Sequence, residues 1–133
     1  AVLLDEHRPM MRVSHGGVRL LKIDVEGMEL DVLEGASALV AEQQPLIYLE
    51  NDRQDNLEAK LSWLLERNYA CHWHLPAYFR DDNFYGCKND PFVQPDGKSI
   101  LSANVFAAPE SITVHVLERT RITSPTSWWT DLR

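Results

Sequence analysis

The chain is short of cysteine, of glycine and of basic charge, and each shortage removes a class of protein. Two cysteines in 133 residues are too few for a disulfide framework, and Cys71 and Cys87 lack Cys-x-x-Cys spacing. A reduced, cytoplasmic setting is the simplest expectation. Lys and Arg number 13 against 20 Asp and Glu, a net charge of −7. That field repels a phosphate backbone, and the basic residues are scattered, so nucleic acid is not an expected partner. No apolar run approaches the ~20 residues that span a bilayer, so a membrane is not an expected partner either. The opening residues, Ala1 to Glu6, show neither the basic leader nor the apolar core of a signal peptide. With no initiator Met, the chain is expected to begin inside a longer protein. The six glycines form no Gly-x-Gly-x-x-Gly loop, which counts against a nucleotide-binding reading.

What is present suits one folded domain. Hydrophobic residues make up 44%, and a chain of this length buries roughly two-thirds of its unfolded surface. The run Val18 to Val25 reads as a strand, with apolar residues at both parities predicting burial on both faces. A helical pattern opens at Met28, and Gly35 predicts two short helices or one kinked helix ending near Gln44. Pro45 closes it, and Leu46 to Leu49 is a second strand running into Glu50-Asn51-Asp52. Asp55 and Glu58 have capping-box spacing ahead of an amphipathic helix on Leu57, Leu61, Leu64 and Leu65. Arg67 suits the end of that helix and Asn68 a left-handed cap. Tyr69 to Leu75 reads as a third strand.

Residues 76–99 hold Pro76, Asp90-Pro91, Pro95 and Asp96-Gly97, which predict a long loop. It carries Tyr78, Phe79, Phe84, Tyr85 and Phe92, suited either to stacking on a ligand or to anchoring the loop. Ala103 to Ala108 reads as a strand and Ile112 to Leu117 as a weaker one. The order predicts an α/β sheet with parallel strands and crossover helices. Ligands in such sheets gather beyond the carboxyl ends of the strands. That rule selects Asp24-Val25-Glu26-Gly27 and Glu50-Asn51-Asp52.

The segment Leu21 to Ala36, LKIDVEGMELDVLEGA, followed by Pro45-Leu46-Ile47-Tyr48-Leu49-Glu50, resembles the signature of FkbM-type methyltransferases. Leu4-Asp5 resembles an element that often precedes it. The resemblance implies a class I methyltransferase fold, a Rossmann-like three-layer sandwich. Here that is its C-terminal part over residues 1–110, with an extension at 111–133. The strands would be the fourth, fifth, sixth and an antiparallel seventh of seven, the others parallel. It also implies S-adenosylmethionine as cofactor and O-methylation of a sugar or natural-product hydroxyl, a small-molecule acceptor.

The Gly-rich turn and the acidic residue that hold the cofactor in this family are not matched. His15-Gly16-Gly17 reads as a simple turn. A missing N-terminal half or an oligomeric partner would complete the site, and the first strand would show an open edge. Asp24 and Glu26 are the candidate catalytic residues, as base or orienting groups; the alternative is that they cap the next helix. By similarity to catechol O-methyltransferase-like enzymes, Asp24, Glu50 and Asn51 are candidate ligands of Mg²⁺. His72-Trp73-His74 places two imidazoles on one strand face, as packing, acceptor-pocket lining or a zinc pair. A non-catalytic, methyltransferase-like binding module is the competing function.

Overall fold

The computed structural model describes residues 3–11, 17–53, 56–116 and 118–132. Within them lie five strands and three α-helices: β1 (Leu20–Ile23), α1 (Glu29–Gly35), α2 (Ser37–Gln43), β2 (Leu46–Glu50), α3 (Leu57–Leu65), β3 (Tyr69–His74), β4 (Asn104–Pro109) and β5 (Arg121–Ile122). A 3-10 segment, Leu4–Met11, precedes β1, and two short ones, Glu118–Thr120 and Trp129–Asp131, flank β5.

The strands form one mixed sheet in the order β1-β2-β4-β3-β5. β1 and β2 pair in parallel, while β4 lies antiparallel between β2 and β3. β1, β2 and β3 therefore share one direction and β4 opposes them, as the sequence order suggests. β5 also runs antiparallel, against Cys71 and His72 of β3. The expectation of one antiparallel strand among parallel ones is corrected on two counts: there are two, and only one pairing is parallel. The expected strand over 112–117 is absent from the described residues. Ile112 and Val116 are exposed, because the free side of β3 is taken instead by Arg121–Ile122, with Ile122 buried.

One face of the sheet makes the core. Ile23, Leu49, Val105 and Trp73 stand in register across it, as do Ile47, Ala107 and Cys71. They join Leu33 and Leu39 from α1 and α2, and Leu61 and Leu64 from α3, in one apolar cluster. The helices thus cover a single face, and the expected three-layer sandwich is a two-layer arrangement among the described residues. The opposite face carries Lys22, Tyr48, Phe106 and His72 in one row. This corrects the reading of β1: Leu20 and Lys22 are exposed and only Ile23 is fully buried. β1 forms the edge of the sheet, and no described strand pairs with its outer side.

Local details follow the residue chemistry. The helical run breaks at Ala36, between α1 and α2. Gly35 permits close packing, since a Cβ there would sit 3.4 Å from the Leu3 side chain. α2 begins without a capping residue of its own, and the Asp5 carboxylate supplies the cap. Its Oδ2 accepts from the Ala38 N–H and its Oδ1 from the Leu39 N–H, both at 2.8 Å. Asn68 is left-handed, as expected, with φ 59°. Arg67 donates to the Trp63 carbonyl at 3.0 Å and lies 3.9 Å over the Trp63 ring. Gly17 has φ 84°, in keeping with a turn; His15, Gly16 and the Asp55 of the expected capping box lie outside the described residues.

The candidate loop is a projecting arm. Bridges at Ala77–Leu101 and Val93–Ser99 hold its two limbs together. Phe84 and Tyr85 stand 96% and 86% exposed at its end, their rings edge to face. They anchor nothing within the described chain. In the tail, Trp128 packs edge-on to Trp73 with ring centres 6.0 Å apart.

Candidate functional site at the strand ends

β1 delivers Asp24 to its carboxyl end, and the chain then reverses sharply. Glu26 (φ 52°) and Gly27 (φ 97°) both take the left-handed conformation that L side chains rarely adopt. The turn is held by Glu29, whose Oε1 accepts from the Gly27 N–H at 2.9 Å. Glu29 Oε2 meets the Lys60 ammonium of α3 at 3.4 Å, with both side chains buried. Burial disfavours the Glu29 carboxylate, but the Gly27 and Glu29 amides and Lys60 outweigh it and hold its acid below the usual value. Neither the pair nor its role was legible in sequence. A lysine on a leucine-rich helix reads as solvated, and the acid that meets it is 31 residues away.

β2 runs parallel to β1 and brings Glu50 to the same end. One carboxylate oxygen from each of Asp24, Glu26 and Glu50 lies within 4.8 Å of the others. The convergence includes both residues expected to be catalytic. Lys22, on the same face two residues earlier, donates to Asp24 Oδ2 at 2.6 Å. That bond and the charge behind it hold the Asp24 acid below the usual carboxylate range. Glu50 shifts the other way: partial burial, then the charges of Asp52, Asp24 and Glu26, push its acid up.

Asn51 does not join them in the same manner. Continuing the alternation of β2, it falls on the side of Ile47 and Leu49, where it is buried and neither amide atom has a hydrogen-bond partner. Its backbone N–H donates to the Ala103 carbonyl at 2.8 Å. Asp24, Glu26 and Glu50 thus present oxygen atoms of the donor type that a hard cation takes. Lys22 already neutralises part of that charge.

His72 and His74 do share a face, as alternation requires. The Tyr48 hydroxyl and His74 Nδ1 are 2.8 Å apart, and His72 Nδ1 is 3.4 Å from the Thr120 hydroxyl. They line a cavity on the second face of the sheet. Among the described residues they form no group of three His, Cys, Asp or Glu side chains spaced to hold a metal.

An α/β sheet with acidic strand ends is the general class that this geometry defines. Residues 11–71, just under half of the chain, match the family model described as the methyltransferase FkbM domain. The match runs from before β1 into β3, includes all three converging carboxylates, and bears out the resemblance to FkbM-type methyltransferases. No curated protein and no solved structure gives a significant match. The family implies S-adenosylmethionine in general. Gly27 owes its identity to its turn: a Cβ there would meet only the Arg53 guanidinium, at 3.5 Å. No cofactor cradle is built around it.

Proposed function

We propose that this chain supplies the acceptor-side carboxylates of an S-adenosylmethionine-dependent methyltransferase acting on a hydroxyl group of a sugar or natural product. The observation that carries the reading is the meeting of Asp24, Glu26 and Glu50 at the carboxyl ends of β1 and β2, within the segment that matches the family. Methyl transfer to oxygen requires an acceptor aligned with the methyl group and a route for the hydroxyl proton. Asp24, kept ionised by Lys22, is the base, and Glu26 and Glu50 orient the acceptor hydroxyl or take up its proton. Alignment contributes several kcal/mol of barrier lowering, and the base about 10²–10⁴-fold in rate. The groups that grip the cofactor come from an N-terminal half or an oligomeric partner.

Asp24→Asn, made in the full-length polypeptide that carries this chain, tests the assignment. Turnover is expected to fall about 100-fold or more, with cofactor affinity within twofold of the parent. Unchanged turnover removes Asp24 from the chemistry. Cofactor binding without transfer to any hydroxyl acceptor would favour the competing reading, a non-catalytic binding module.

A further inference from the structure

The second face of the sheet combines ring-shaped apolar surface with an arginine and three imidazoles, none of which the methyl-transfer reading uses. Tyr48, Phe106 and His72 occupy one register row there, and His74 stands two residues along β3. The segment that follows β4 brings His115 and Arg119 to the same void, a cavity of about 1250 Å³. The contact of Tyr48 with His74, 2.8 Å from hydroxyl to Nδ1 and 62° between the rings, braces one wall.

This void lacks the acidic excess of the molecule. The chain carries −7 overall, yet the cavity gathers one arginine and three histidines against a single carboxylate, Asp131. Asp131 is itself engaged, accepting from the Trp128 N–H at 3.1 Å. A guanidinium presents a planar fork of donors that matches phosphate or carboxylate, and imidazole N–H groups add further donors. Tyr and Phe rings give a flat apolar surface on which another ring packs edge-on or offset.

We infer that this cavity binds a small organic anion built on one aromatic ring, the ring lying against Tyr48 and Phe106 and the anionic group meeting Arg119 and the imidazoles. The inference is independent of methyl transfer, because it requires neither Asp24 nor the cofactor. The test is a heteronuclear NMR titration of the chain with three probes: phenyl phosphate, inorganic phosphate and benzyl alcohol. Phenyl phosphate should shift the Tyr48, His74 and Arg119 signals and bind about tenfold or more tighter than either of the others. Arg119→Gln should weaken phenyl phosphate about tenfold and leave benzyl alcohol unchanged, and His115→Gln should weaken it by a smaller factor. The double variant Phe84→Ser with Tyr85→Ser, on the exposed arm, should bind as the parent does. Equal affinity for phenyl phosphate and benzyl alcohol, indifference to Arg119→Gln, or loss of binding in the arm variant would each overturn the inference.

Discussion

Glu29 and Lys60 show how a site can be held by residues that never reach the substrate. The pair is buried and ties the turn after β1 to α3. Breaking a buried pair by removing one partner costs about 3–5 kcal/mol, because the other charge stays in the core. Lys60→Met is expected to destabilise the fold by about 3 kcal/mol on that scale, measured by urea denaturation at neutral pH. The acid of Glu29 is depressed in the fold. Its contribution is therefore fully present above the unfolded glutamate value and is lost as pH falls through the lower, folded one. The expected result is a loss of stability below about pH 4.5 that is shallower in Glu29→Gln. A second prediction at this scale concerns the thiols. Cys71 is buried and its thiol is pushed up to about 12 by that burial, with Arg121 opposing weakly, whereas Cys87 is exposed. Since the thiolate is the reactive form, a thiol reagent should label Cys87 alone in the native protein and both cysteines in denaturant. Labelling of Cys71 in the native state would contradict the packing described for β3.

Among the elements, α2 depends on a residue far from it in sequence. Asp5 accepts from the first amides of α2, so Asp5→Ala should cost about 1 kcal/mol, and Asp5→Asn should recover part of it. Thermal denaturation of the two variants distinguishes this cap from a merely exposed carboxylate. The turn after β1 makes a comparable demand on Gly27, whose φ of 97° strains any side chain. Gly27→Ala is expected to lose about 1–2 kcal/mol. Most elements were legible because their patterns are local. The break near Gly35, the leucine face of α3 and the left-handed Asn68 all follow from spacing and residue type. β1 was misread on one face only, because Leu20 announces burial as Leu21 does, while exposure depends on which face the helices cover. β5 was missed because two residues carry no period, and the alternation over 112–117 imitated a strand although Arg121–Ile122 takes the place beside β3.

The whole molecule distributes its polar groups unevenly. Acidic side chains converge where β1 and β2 end, and imidazole and aromatic side chains gather with Arg119 on the face of the same sheet that the helices leave open. The first of these was readable from the rule that ligands collect at the carboxyl ends of parallel strands, applied to Asp24, Glu26 and Glu50. The second was not. His115 and Arg119 reach the cavity only through the path of the tail, and nothing in residues 112–120 announces that path. The open side of β1 also fits a sheet that continues into further strands, and such an edge invites pairing in a lone chain. Methyl transfer remains the central claim. The most direct measurement is calorimetric titration of S-adenosylmethionine into the full-length polypeptide carrying this chain, followed by transfer of a labelled methyl group to hydroxyl acceptors. The account predicts saturable binding and transfer that Asp24→Asn suppresses; no binding of the cofactor by that polypeptide would contradict it.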